Sequence, residues 1–245
     1  MQLDYQNLPF QIALDYVTKT SRQLFLSGKA GTGKTTFLKT LKEICTKNSV
    51  VVAPTGVAAI NAGGVTIHSF FQLPFGPFIP GAQTGFGMHT GIVDTHTLLK
   101  NIRLQTSKRK ILLELELLII DEISMVRSDM LDAIDTILRY VRKNQQPFGG
   151  RQVLFIGDLY QLPPVVKDTE KIQLDAFYAS PFFFDAKVIP SCNLINIELT
   201  KIYRQKEINF IHLLNKVRHN TLEELDYIQL NSRYNPAFSN QENKF

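Results

Sequence analysis

The run Gly28-Lys29-Ala30-Gly31-Thr32-Gly33-Lys34-Thr35 constrains this 245-residue chain more than any other feature, because it joins an apolar stretch, Leu24–Ser27, to a helical pattern reaching Lys47. Glycines at this spacing let the backbone fold back so that successive N–H groups converge, and the start of the following helix adds partial positive charge. Strand, tight turn and helix in that order form a phosphate cradle. Lys34 is expected to reach the β and γ phosphates of a bound nucleotide and Thr35 to ligate Mg2+. Gly28, Ala30, Gly31, Thr32, Gly33 and Thr36 complete the expected contact. A glycine-rich turn before an ordinary helix is the alternative, and it leaves the coincidence of strand, spacing and helix unexplained.

A second apolar run, Leu117–Ile120, ends in Asp121 and Glu122. Ligands of open α/β sheets bind at the carboxyl ends of strands, so two carboxylates there have separable tasks. Asp121 is expected to hold the magnesium, directly or through water, and Glu122 to act as general base on the attacking water. Asp158 and Gln161 follow a third run, in Gly157-Asp158-Leu159-Tyr160-Gln161-Leu162-Pro163-Pro164. An amide at that place can sense a γ phosphate and pass the difference to neighbouring segments. A proline-terminated loop capped by Asp158 fits the same residues.

Apolar runs also recur at Val50–Ala53, Val153–Ile156 and Leu194–Ile197, separated by helical patterns. Short β-branched runs alternating with helices predict an α/β fold: a mostly parallel central sheet with helices on both faces. Leu131, Ile134, Leu138 and Val141 mark one such helix, with Ser128 placed to cap its start. Leu73 to Gly91 breaks the rhythm, with Pro74, Pro77, Pro80, five glycines, and Phe75, Phe78 and Phe86 among them. It does not read as a regular core element, and the basic run Lys100, Arg103, Lys108, Arg109, Lys110 follows it. Hydrophobic residues make up 44%, enough for a real core, and the net charge of +5 mildly favours polyanionic partners. Two cysteines without CxxC spacing, and no apolar run of membrane-spanning length, lead to the expectation of a soluble cytoplasmic protein without a membrane partner.

These residues in this order resemble the PIF (petite integration frequency) type of superfamily-one DNA helicases, related to the RecD helicases. The resemblance rests on the phosphate loop and on Asp121-Glu122-Ile123-Ser124-Met125. It adds Ala53-Pro54-Thr55-Gly56-Val57-Ala58-Ala59, Thr66-Ile67-His68-Ser69-Phe70, Gly157 to Pro164, and Leu199-Thr200-Lys201-Ile202-Tyr203-Arg204-Gln205. It covers nearly everything from Asn7 to Tyr234. It implies a RecA-like P-loop NTPase lobe over residues 1–234, ATP and Mg2+ as cofactors, and a role in DNA repair, recombination and telomere maintenance. It also implies single-stranded and forked or duplex DNA as partners, a monomer, and five-prime to three-prime movement of the parent protein. Asn7 and Gln11 are spaced like the family's adenine-contacting segment, which makes Gln11 the candidate for base selection; the start of a surface helix is the alternative. By the same resemblance Arg204 touches the γ phosphate, a role that suits a permanently charged planar guanidinium. Pro54, Thr55, Gly56, Thr66, His68 and Phe71 are similar to the segments lining the single-strand path, and they supply hydroxyl, backbone N–H and ring groups for it. His68 as a core histidine bonded to backbone remains open.

The family's pin or wedge occupies the place of residues 73–110 here, so Phe75, Phe78 or Phe86 is a candidate to meet a DNA fork, with a surface loop as the alternative. Residues 235–245 read as a tail or the start of a linker. The family pattern has a second RecA-like lobe, which is not recognisable in this chain, so slow hydrolysis and no unwinding are expected of the isolated chain. A GTPase lacks support because no NKxD block follows, and a small-molecule kinase leaves the Tyr-Arg-Gln block without purpose. A non-catalytic DNA-binding module is a further alternative.

Overall fold

A computed structural model of the chain describes residues 7–81, 91–102, 105–203 and 208–236. Two compact units divide it at residues 202 and 203. The first carries every strand among the described residues. In chain order it runs α1 (Leu8–Lys19), β1 (Leu24–Gly28), α2 (Lys34–Ile44), β2 (Ser49–Ala53), α3 (Gly56–Ala62), β3 (Val65–Thr66), α4 (Ile67–Phe71), α5 (Thr95–Asn101), α6 (Thr106–Glu114), β4 (Leu117–Ile120), α7 (Ser128–Arg142), β5 (Gln152–Gly157), α8 (Asp168–Asp175) and β6 (Ile195–Leu199). The second unit holds α9 (Ile208–His219) and α10 (Glu224–Asn231). Lys216 on α9 bonds Glu223 at 3.1 Å and Asp226 at 2.8 Å, while Glu223 and Asp226 form a capping box at the start of α10.

The six strands form one parallel sheet in the order β3-β2-β4-β5-β1-β6. The five expected strands are present within a residue or two, and the two-residue β3 at the sheet edge is an addition that no apolar run announces. Both faces of the central strands β4 and β5 are covered, which is why they are buried without alternation, whereas the edge strand β6 alternates Ile195 and Ile197 with the exposed Asn196 and Glu198. Successive residues nevertheless go to opposite sides. Leu24, Leu26, Leu117, Ile119, Leu154 and Ile156 join α1 and α2 in one core, around Phe10, Ala13, Leu14, Val17, Phe37, Leu38 and Leu41. Phe25, Leu118, Ile120, Val153 and Phe155 join the other core, with α4 and α7. The parallel α/β architecture with helices on both faces is therefore as the alternation of runs implied.

The α7 stripe is buried as expected at Leu131, Ile134, Leu138 and Val141. Its cap is different. Arg127 is the N-cap, Ser128 is the first helical residue, and the Ser128 hydroxyl donates instead to the Ser180 carbonyl at 3.1 Å. A serine one position inside the helix cannot reach the N2 or N3 amides, so it serves a tertiary contact.

The proline- and glycine-rich stretch is less irregular than its composition suggests. Phe78 and Ile79 are buried, and a short bridge pairs Phe78 with Val93 through Val93 N–H to the Pro77 carbonyl and Ile79 N–H to the Val93 carbonyl, both 2.9 Å. Residues 82–90, including Phe86, lie outside the described residues, as do Arg103 and Arg204.

Candidate nucleotide and nucleic-acid site

Because all six strands are parallel, their carboxyl ends share one edge of the sheet. That edge receives the turn after β1, Pro54-Thr55 after β2, Thr66 at the end of β3, Asp121-Glu122 after β4 and Asp158 after β5. Sequence distance becomes spatial convergence at this edge.

The turn after β1 has the geometry of a cradle. Gly31 and Gly33 have φ of 81° and 94°, the left-handed region, and Gly33 is the N-cap of α2. A Cβ on Gly28 would stand 2.5 Å from Thr32 Oγ1 and 2.9 Å from the Leu199 carbonyl oxygen, so the close approach of β6 also requires glycine there. Thr32 is fully buried and its hydroxyl donates to the Lys29 carbonyl at 2.9 Å, which braces the turn from within. The Lys34 ammonium donates to the carbonyls of Gly28 at 2.6 Å and Lys29 at 3.1 Å, folded back over the loop. Ala30 and Thr35 are exposed, and Thr36 is half-buried.

Asp121 and Glu122 differ in environment. Burial raises the Asp121 carboxyl from its ordinary 3.8 to about 6; the bond it accepts from Glu122 N–H at 3.0 Å opposes the rise, the Glu122 charge adds to it, and the Lys34 ammonium opposes it. Glu122 adopts φ 51°, ψ 47°, a conformation that costs a side-chain-bearing residue ~1–2 kcal/mol. A strained backbone at the carboxyl end of the central strands is held by its surroundings, and such strain concentrates at working sites. Part of that hold comes from Gly157, where a Cβ would stand 2.9 Å from Ile123 Cγ2 and 3.1 Å from Ile123 N. Asp158, 2% exposed, accepts from Tyr160 N–H and from the Gln161 side-chain amide, both at 3.2 Å. The carboxylate thus caps its loop and holds Gln161 at the same time.

The residues grouped as a strand path separate in two ways. Thr55 and Thr66 are N-caps whose hydroxyls accept from Ala58 N–H at 3.2 Å and Ser69 N–H at 3.3 Å, which leaves each hydroxyl proton to donate outward. Gly56 is exposed with open space beside it. Pro54, Thr55 and His68 line a cavity of about 300 Å³ shared with Phe75 and Arg127. Burial and then the Arg127 charge lower the His68 imidazole below its usual value, Asp129 opposing, so the ring is neutral near pH 7. It stacks on Phe75 at 5.8 Å between centroids and 22° between planes.

Phe71 does not belong to this surface. It is fully buried and meets Phe70 edge-on at 4.9 Å. Ile67, Phe70 and Phe71 follow the i, i+3, i+4 spacing of an inward stripe, which leaves His68 and Ser69 on the outer side of α4. That spacing was readable. Phe78, 3% exposed, is likewise core and cannot meet a DNA fork, whereas Phe75 is 91% exposed. On α1, Asn7 is 4% exposed and its side chain caps the helix by accepting from Phe10 N–H at 3.3 Å; Gln11 lies half-buried one turn on.

One cluster was not foreseen. Arg127 donates through Nε and Nη2 to Asp129 at 2.8 and 2.6 Å and through Nη1 to Glu170 at 2.6 Å, and Asp129 also accepts from Phe78 N–H at 2.9 Å. It ties the turn after Glu122 to α8 and to the segment bearing Phe75. Glu170 is 43 residues from Arg127, so no local pattern could have revealed the pairing.

The family model for PIF1-like helicases matches residues 4–227. This chain belongs to the PIF1-like helicase family. Among its relatives are the ATP-dependent DNA helicases PIF1 of Saccharomyces cerevisiae, 36% identical over 214 residues, and of Homo sapiens, 34% identical over 198. These matches cover 85% and 80% of this chain but 22% and 27% of the relatives. A crystal structure of the Bacteroides Pif1 helicase in complex with ADP-AlF3 and ssDNA is 43% identical with a TM-score of 0.85, covering 98% of this chain and 51% of that one. The Candida albicans Pif1 structure is 32% identical with a TM-score of 0.74, at 98% and 49% coverage. The chain thus spans about a quarter of these curated PIF1-like relatives and about half of these solved ones. Among the described residues, no helix is long and apolar enough to cross a membrane.

Proposed function

We propose that this chain is a RecA-like motor lobe of an ATP-dependent DNA helicase, binding Mg2+·ATP at the turn after β1 and single-stranded DNA along the outer ends of β2 and β3. The observation that carries the reading is the convergence at one sheet edge of the Lys34 loop after β1 and the Asp121-Glu122 turn after β4. The donor set fits the cofactor. Magnesium is held mostly by substrate phosphates with one or two protein ligands, and Thr35 with Asp121 provides a hydroxyl and a carboxylate at the edge where the phosphates would lie. When bound, the ion neutralises charge developing on the phosphate oxygens.

In this reading the loop amides of Gly28 to Gly33 and the start of α2, through Thr36, hold the phosphates, and Lys34 leaves its carbonyls for the β and γ oxygens. Gln11 contacts the adenine. Glu122 takes a proton from the attacking water and Gln161 responds to the γ phosphate from its tether on Asp158, while Arg204, the other candidate for that phosphate, lies outside the described residues. Thr55, Gly56, Thr66 and His68, with Pro54 shaping the bend, donate to backbone phosphates. The segment 73–110 is the fork-facing insertion. The parent protein moves five-prime to three-prime as a monomer on forked DNA in the cytoplasm, serving repair, recombination and telomere maintenance.

ATP hydrolysis by the 245-residue chain, with and without single-stranded DNA and with GTP as competitor, tests the reading. Lys34→Ala is expected to abolish turnover. Turnover unchanged in Lys34→Ala would leave a DNA-binding module without a motor.

A further inference from the structure

We propose that Phe75 is a stacking platform for one nucleobase of the single strand, mounted on His68 and held by a rigid turn; this deepens the strand-path reading above and rests on it. The ring is 91% exposed, and its stacking partner among the described residues is the neutral His68 imidazole at 5.8 Å. Burying a phenylalanine is worth ~1.5–3 kcal/mol, so a ring displayed to water forgoes a sizeable stabilisation that the fold uses nowhere.

The display is built. Pro74 and Pro77 flank the ring, and each fixes its own φ. Leu73 N–H donates to the His68 carbonyl at 3.2 Å, which ties the entry of the turn to α4. Phe78 N–H donates to the Asp129 carboxylate at 2.9 Å, which ties the exit to the Arg127 cluster. Gly76 has φ 115°, and a Cβ there would stand 2.5 Å from the Gly91 carbonyl oxygen, so the two limbs of the segment touch at the turn. Phe75 is therefore held at a defined position rather than carried on a slack loop.

Its surroundings choose the occupant. Thr55, His68, Phe75 and Lys167 line the same cavity, and its two carboxylates, Asp129 and Glu170, are balanced there by Arg127 and Lys167. Lys108 donates to the Ser69 carbonyl at 2.6 Å, placing a cation beside α4. An open aromatic ring beside the Thr55 hydroxyl, over a cavity whose carboxylates are already paired and with Lys108 close to α4, matches a base with its flanking phosphates, since every base has a π face and every phosphate needs a donor. A protein partner would need roughly 800 Å² of complementary surface per side, and one ring does not supply it. Stacking is largely independent of ionic strength, whereas phosphate contacts release counterions.

The test uses the full 245-residue chain and a fluorescein-labelled oligothymidylate of about a dozen nucleotides, titrated by anisotropy at several salt concentrations, with a 2-aminopurine-substituted oligonucleotide as stacking reporter. Phe75→Ala is expected to weaken binding about tenfold, leave the slope of affinity against salt unchanged, and abolish the 2-aminopurine quenching. Phe75→Tyr should hold affinity within about twofold, because it keeps the ring. Since the side chain is exposed, the variants should match the thermal melt of the parent sequence. Phe75→Ala binding as tightly as the parent sequence, as a residue acting only at a fork would, overturns the proposal. A loss accompanied by a shallower salt dependence overturns it too. If the unaltered chain fails to bind the oligonucleotide, the strand-path reading falls together with the platform.

Discussion

Replacing Asp129 by alanine should destabilise the first unit severely, although the residue touches no phosphate in any reading given above. The Asp129 side chain is 2% exposed and that of Arg127 13%, so solvent screens their interaction little. The carboxylate accepts three bonds, from Arg127 Nε and Nη2 and from Phe78 N–H. Its removal strands two guanidinium donors and one buried backbone amide, with Glu170 at 2.6 Å the ion-pair partner left among the described residues. An orphaned buried amide costs ~1–3 kcal/mol, and breaking a buried ion pair from one side costs ~3–5 kcal/mol. Because Glu170 retains part of the balance, the combined loss is set at ~3–5 kcal/mol, which for a domain of about 200 residues corresponds to a melting temperature lower by about 6–20 °C. Urea unfolding and far-UV circular dichroism melts at neutral pH measure it. Asp129→Asn keeps an acceptor for Phe78 N–H and for one guanidinium donor, and is expected to cost about half as much. A loss below ~1 kcal/mol for the alanine variant, or equal losses for the two variants, would refute the clamp described for Arg127.

Three further outcomes follow from the site. With chelator present, Asp121→Asn should stabilise the folded chain by up to ~3 kcal/mol at pH 8, because the native carboxyl titrates at about 6 when folded and near 3.8 when unfolded. A raised acid loses its contribution as pH rises, so the gap between the variant and the unaltered chain should open between pH 4 and 6 and be absent at lower pH; melts that show no such opening would contradict it. Glu122→Gln should retain ATP binding and lose turnover at least about a hundredfold, measured by equilibrium binding of a fluorescent ATP analogue alongside phosphate release, and undiminished release would remove Glu122 as the base. Gly28→Ala should cost ~1–3 kcal/mol and weaken nucleotide binding, since its Cβ meets Thr32 Oγ1 at 2.5 Å and the backbone of β6 at 2.9 Å; a variant as stable as the parent sequence would show that β6 yields.

The backbone of the turn after β1 and of the strand before Asp121 was legible from residues alone. Gly31 and Gly33 stand in left-handed conformations, and the acid pair ends a strand that is fully buried, as local pattern implied. The strand side was legible in part. Thr55 and Thr66 announce helix starts as well as donors, but assigning Phe71 to the path overlooked that it shares a stripe with Ile67 and Phe70. Phe78 was misjudged for a different reason: proline and glycine content signals irregular backbone, and irregular backbone can still bury a side chain when a bridge such as Phe78 to Val93 pays its hydrogen bonds.

What the amino-acid order determined by itself is local: which residues turn, which runs extend and where helices begin, because these depend on neighbours within a few positions. Only the tertiary structure decided the strand order β3-β2-β4-β5-β1-β6, which sets the loops bearing Lys34, Asp158 and Asp121 side by side after β1, β5 and β4, and the Arg127–Asp129–Glu170 clamp. Those features depend on which apolar faces pack together and which buried charges must find a partner far along the chain, and that selection is made by the whole core at once.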